Sequence, residues 1–83
     1  MKLLYFAWVR QKIGKSQESL PLPAGVSTLR QLAEHLRARG GGYADAFADL
    51  ERLRAAANQI HARFDTPVVD GDEIAFFPPV TGG

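Results

Sequence analysis

Thr28-Leu29-Arg30-Gln31-Leu32-Ala33-Glu34-His35-Leu36-Arg37 carries the clearest local signal in the chain. Thr28 stands three residues before Gln31, the spacing of a capping box. Its hydroxyl can accept from the Gln31 backbone N–H while the Gln31 side chain accepts from the backbone of the cap. Leu29, Leu32, Ala33 and Leu36 then recur at helical spacing and make one apolar stripe. Arg37 and Arg39 fall in the last turn, where the helix dipole favours cations. Gly40-Gly41-Gly42 stops the helix, and Gly40 suits a left-handed cap. This is one main helix with one face to bury, so the rest of the chain must supply the surface it lies on.

Upstream, residues 2–9 (KLLYFAWV) are aromatic and branched, which suits a pleated strand. Alternation puts Leu3, Tyr5, Ala7 and Val9 on one face and Leu4, Phe6 and Trp8 on the other. Gly14 supplies a turn, and residues 17–22 (QESLPL) read as a second strand closing a hairpin. Pro21 and Pro23 lack N–H donors, so that strand ends there or lies at an edge. Downstream, Tyr43, Phe47 and Leu50 lie four and three apart and predict a short second helix. Residues 53–59 (LRAAANQ) are open at this level: three alanines favour helix, and tertiary pairing would favour strand. Ile60 to Phe64 reads as a short strand. Asp65-Thr66-Pro67 and Asp70-Gly71 are turns, and residues 73–77 (EIAFF) form a last strand ended by Pro78-Pro79. The reading is α+β: a mixed sheet of about five strands crossed by one main helix, with the first and last strands at its centre.

A chain of 83 residues is one domain. At this size only about 60–65% of the unfolded surface is buried, which leaves no room for a large internal pocket. Chemistry is therefore expected at an edge, a loop or an end. Without cysteine there is no disulfide, thiolate zinc site or cysteine nucleophile. A net charge of +1 with scattered Lys and Arg gives no basis for nucleic-acid binding. The apolar run Leu3–Val9 is too short to span a bilayer and is followed by Arg10, Gln11 and Lys12 instead of a cleavage site. The expected location is the cytoplasm. His35 and His61 have no ligand spacing between them, and Asp70 with Gly71 is a turn first, so no metal site is indicated.

Pro78-Pro79-Val80-Thr81-Gly82-Gly83 is the unusual segment. It leaves a strand that should be buried and holds almost nothing that would anchor it to a core. The prolines favour an extended start. Six residues at about 3.3–3.6 Å each reach roughly 20 Å, far enough to enter the cleft of another protein. Glycine lacks a Cβ, so its backbone passes where no other residue fits. A terminal glycine carboxylate is also unobstructed, although it must be activated, for example as an acyl-adenylate, before a nucleophile can attack it. The reading divides the chain into a domain over 1–77 and a tail over 78–83.

The ending Asp70-Gly71-Asp72-Glu73-Ile74-Ala75-Phe76-Phe77-Pro78-Pro79-Val80-Thr81-Gly82-Gly83 resembles that of the molybdopterin synthase small subunit, the MoaD family. Tyr5-Phe6-Ala7-Trp8-Val9-Arg10 before Gly14, and Asn58-Gln59 before a short strand, are similar to that family as well. The terminal Gly-Gly alone is not specific, because other ubiquitin-like carriers share it. The resemblance implies a β-grasp, ubiquitin-like fold and makes the alanine-rich stretch a strand. It implies that an E1-like (MoeB-like) enzyme uses ATP to adenylate Gly83, and that a sulfur donor then converts it to a thiocarboxylate. It further implies docking on a MoaE-like large subunit, in a complex of two small and two large subunits, and sulfur transfer to cyclic pyranopterin monophosphate. The chain itself would bind no cofactor. It would be the non-catalytic, sulfur-donating subunit of a transferase.

On this reading Gly83 carries the sulfur and Gly82 keeps the approach narrow. Thr81, Val80 and Pro79 enter partner channels with them. Phe77 lies on the strand face opposite Ile74 and Phe76, and Phe6 lies opposite Tyr5. If the latter residues meet the helix, Phe6 and Phe77 form an open aromatic patch for a partner; with the facing reversed they are core. His61 borders the same patch, and Arg10 is a candidate for docking an acidic surface. The alternatives are a carrier for thiazole or tRNA thiolation, a ubiquitin-like protein modifier, or a binding domain whose tail is inert.

Overall fold

The computed structural model describes residues 1–79. Strand β1 (Lys2–Tyr5) leads into helix α1 (Ala7–Ile13), strand β2 (Gln17–Ser19), helix α2 (Leu29–Arg37) and helix α3 (Gly41–Ala46). A single 3-10 turn (Leu50–Arg52) precedes strands β3 (Arg54–Ala57), β4 (Ile60–Ala62) and β5 (Glu73–Phe77). All five strands join one sheet in the order β2-β1-β5-β3-β4. β1 runs parallel to β5, with Leu3 opposite Ile74 and Tyr5 opposite Phe76. The other pairings are antiparallel. This is the mixed sheet expected, with the most apolar strands inside it and β2 at an edge.

The core lies between the sheet and the helices. Leu3, Tyr5, Ala55, Ile74 and Phe76 meet Leu29, Leu32, Ala33 and Leu36 of α2, and all are essentially inaccessible to solvent. Phe47, just past α3, meets the Phe76 ring edge-on, with centroids 4.9 Å apart. The capping box forms as the sequence dictates. Gln31 N–H donates to Thr28 Oγ1 at 3.2 Å, and Gln31 Oε1 accepts from the Thr28 N–H at 3.2 Å.

Three local readings are corrected. The first strand does not run to Val9. Phe6 is the N-cap of α1, and Ala7 turns the chain out of the sheet at a φ of 52°. Val9 and Ile13 stand one helical turn apart, and Val9 is fully buried, so the apolar run serves two elements in succession. Gly14 ends α1 in the left-handed region at φ 90°, its N–H donating to Arg10 O at 2.8 Å. Second, β2 stops at Ser19 and does not reach Leu22. Third, α2 ends at Ala38 in right-handed geometry, and Gly40 instead caps the start of α3. The glycine run is therefore the beginning of a helix, not only the end of one. Its third member is required by close approach: a Cβ on Gly42 would overlap the Lys12 carbonyl, 2.7 Å from its carbon. That contact is where α1 and α3 meet.

Two polar clusters fix the periphery. Glu18 on β2 accepts hydrogen bonds from the Tyr5 hydroxyl at 2.7 Å, the Tyr43 hydroxyl at 2.6 Å and the Arg39 guanidinium at 3.1 Å. Arg39 also lies over the Tyr43 ring, 5.0 Å from its centroid. Partial burial works against the Glu18 carboxylate, but the bonds from Tyr43, Tyr5 and Arg39 together outweigh it and hold the carboxyl below its ordinary range. At the other end, Asn58 and Gln59 take φ values of 52° and 71° in the tight turn joining β3 to β4. Asn58 Oδ1 accepts from the Glu73 N–H at 3.0 Å, and its amide donates to Asp72 at 3.1 Å. Asp72 also accepts from the Val69 N–H at 2.9 Å, and these bonds hold its carboxyl low.

Candidate functional site

The helices cover one face of the sheet and leave the other open. On β5 the alternation is plain: Ile74 and Phe76 are buried, while Ala75 and Phe77 are half-buried and face away from the helices. Register assembles the rest of that face. Leu4 and Ala56 flank Ala75, Arg54 stands opposite Phe77, and His61 stands opposite Ala56. The His61 and Phe77 rings meet edge to face, with centroids 5.9 Å apart. The Phe6 N–H donates to Phe76 O at 3.1 Å, so the β1–β5 ladder runs on and brings Phe6 level with Phe77. Phe6 is 48% exposed. Arg10, also exposed, lies one turn farther along α1, its N–H reaching Phe6 O at 3.4 Å.

Phe6, Phe77, His61 and Arg10 thus lie on or beside the open face, at the end of the sheet where β5 runs into Pro78-Pro79. Leu4 shares the face as alternation along the first strand places it, whereas Ala56, Ala75 and Arg54 share it but were not singled out by the sequence. Pair register, once β3 is known to lie beside β5, is the signal that would have found them. Trp8, placed by alternation on the face of Phe6, instead lines a shallow groove with Pro78, Pro79, Glu51 and Arg52. The start of α1 moves it there. Of the tail residues, Pro79 is half-buried in this groove. Val80, Thr81, Gly82 and Gly83 lie outside the described residues.

The site holds no constellation for bond making within the domain itself. Among the described residues, no group of three or more His, Asp or Glu side chains could hold a metal ion. No buried polar side-chain atom among them lacks a hydrogen-bond partner. What the arrangement offers is a surface: aromatic and small apolar side chains on a rigid sheet, rimmed by cations, with the C-terminal segment leaving from its middle strand. Such a surface suits recognition of another protein.

Residues 3–83 match the ThiS family. The molybdopterin synthase sulfur carrier subunit of Escherichia coli is 43% identical over 83 residues, covering 100% of this chain and 99% of that protein. Its counterpart in Haemophilus influenzae is 39% identical with the same coverage. Among solved structures, one from Pyrococcus furiosus, provisionally assigned as molybdopterin converting factor subunit 1, superposes with a TM-score of 0.74 at 31% identity, covering 95% of each chain. Small archaeal modifier protein 1 of Haloferax volcanii superposes at 0.66 with 21% identity, covering 96% of this chain and 97% of that one, and shares the fold. With its whole length matched by sulfur carrier subunits and nearly all of it by the family profile, this chain belongs to the ThiS family.

Proposed function

We propose that this protein is the sulfur carrier subunit of a molybdopterin synthase. The observation that carries the reading is the end-to-end relationship to sulfur carrier subunits, at 43% identity in the nearest of those described above. The position of β5 supports it: the strand that runs into the Gly-Gly segment lies in the middle of the sheet, under the open aromatic face. The Gly83 carboxylate attacks the α-phosphate of ATP on an E1-like partner, and pyrophosphate leaves. A sulfur nucleophile then displaces AMP from the acyl-adenylate, leaving a thiocarboxylate. On the large synthase subunit that sulfur attacks a carbon of cyclic pyranopterin monophosphate and displaces its oxygen substituent. Water then cleaves the resulting thioester, leaving the sulfur on the pterin and returning the Gly83 carboxylate, in an assembly of two small and two large subunits.

In this scheme the domain recognises and the tail reacts. Phe6, Phe77 and His61 seat the open face on each partner in turn, with Arg10 at the rim. Pro79, Val80, Thr81 and Gly82 guide Gly83 to the reacting centre. No helix among the described residues is long and apolar enough to cross a membrane. ATP-dependent activation points to the cytoplasm as the compartment.

The test is an intact mass. The chain is incubated with its E1-like enzyme, ATP and a sulfur donor system. The expected gain is one oxygen replaced by sulfur, localised to Gly83 by fragmentation. An unchanged mass, with the enzyme active on another carrier, rejects the carrier reading.

A further inference from the structure

Beside the open face, the end of the sheet carries a cleft that the scheme above does not use. It has a volume of about 350 Å³, and Ala62 and Phe64 form apolar parts of its lining. Arg30, Arg54, Arg63 and His61 surround these. A backbone bond from Arg30 N–H to Phe64 O, 2.9 Å, sets the first turn of α2 against the strand end and brings the Arg30 side chain to the cleft. Folding gives no reason for a cation there, since the helix dipole disfavours positive charge in a first turn. Arg30 has no ion pair among the described residues. Arg54 is held by Nη1 bonds to the Glu51 and Leu53 carbonyls at 3.0 and 2.8 Å, both neutral acceptors. Arg63 meets Asp65 at 3.6 Å, with both side chains largely in water, an arrangement worth little. Three guanidinium groups therefore face one carboxylate.

We infer that this cleft receives an acidic segment of the protein that docks on the open face. The inference rests on the proposed function for the partner's identity but not for the site. Continuity selects a protein segment: Arg54 stands opposite Phe77 and His61 against its ring, so both residues belong to the cleft and to the open face at once. A partner covering Phe77 reaches the cleft without leaving the sheet. Asp or Glu side chains meet the forked guanidinium donors, and an intervening apolar residue meets Ala62 and Phe64.

The experiment has two arms. In the first, the 15N-labelled chain is titrated with a hexaglutamate peptide and, separately, with inorganic phosphate. Expected are shifts at Leu53, Arg54, Ala62 and Arg63 with the peptide, abolished in the Arg30→Gln/Arg63→Gln double variant and kept in Arg37→Gln. No shifts, or shifts with phosphate alone, overturn the inference. In the second arm, affinity for the cognate large synthase subunit is measured against salt. The double variant is expected to bind about tenfold more weakly at low salt, with a shallower salt dependence. Equal affinity and equal salt slope overturn the inference. Failure of the unsubstituted chain to bind that subunit rejects the proposed function, while the peptide arm still decides the cleft.

Discussion

The two faces of β5 differ in what they do, although their residues alternate along one strand. Ile74 and Phe76 point into the core and touch no solvent, whereas Ala75 and Phe77 point out and stay half-covered. Both sets are apolar, so hydrophobicity alone cannot tell them apart. The difference lies in what each face meets. The inner face has α2 and Phe47 fitted to it, and it holds the fold together. No helix among the described residues covers the outer face, where the Phe77 ring meets His61 of β4, and that face stays available to another protein. A strand apolar on both sides therefore signals either two layers of cover or one layer and one partner.

Substitutions separate the two faces, and the inner face should fail first. Phe76→Ala removes a fully buried ring that stacks on Tyr5 and meets Phe47 edge-on, and is expected to cost about 3–5 kcal/mol, enough to unfold much of so small a domain. Chemical denaturation measures it; a loss under ~1 kcal/mol would show that the inner face is not the structural one. Next in size is Glu18→Gln, about 1–2 kcal/mol near neutral pH. Its effect depends on pH. The Glu18 carboxyl is held below its ordinary range in the native state, so its stabilisation is present above the unfolded-state pKa and fades as pH falls through the native one. Melting curves of the two proteins should converge in acid; a gap that persists at about pH 2 would mean that charge is not the cause.

Thr28→Ala removes half of the capping box and should cost about 1 kcal/mol without touching either face. Partner affinity unchanged in this variant is the control for the others. The smallest stability effect is expected from Phe77→Ala, ~1 kcal/mol or less, accompanied by a loss of about tenfold or more in affinity for the large subunit. A large drop in melting temperature with unaltered affinity would place Phe77 in the core and erase the distinction between the faces.

Much of this was legible in the chain. Thr28 and Gln31 announce α2 because a capping box is a local device, complete within four residues. Glu73 to Phe77 announces β5 because Pro78 and Pro79 bound it. The opening was harder. Trp8 and Val9 are strand formers by composition, yet they fold as helix because α1 packs where Gly42 lets α3 approach Lys12. Nothing near residue 8 in sequence records that contact. Ala55, Ala56 and Ala57 are helix formers that pair as strand because β3 has β5 on one side and β4 on the other. At the site, Phe6 and Phe77 could be set opposite the core by alternation alone. Arg54 and Ala56 needed the register, which is a property of two strands and not of either.

The position of β5 also has a mechanical meaning. Any pull exerted through the C-terminal glycines, as when a partner grips or releases them, is delivered to Phe77 at the end of the middle strand. That strand is bonded along its length to β1 on one side and to β3 on the other. A load along the strand axis must shear both ladders together, where an edge strand would peel from one. A partner that pulled on the segment would thus load two ladders at once before the domain gave way.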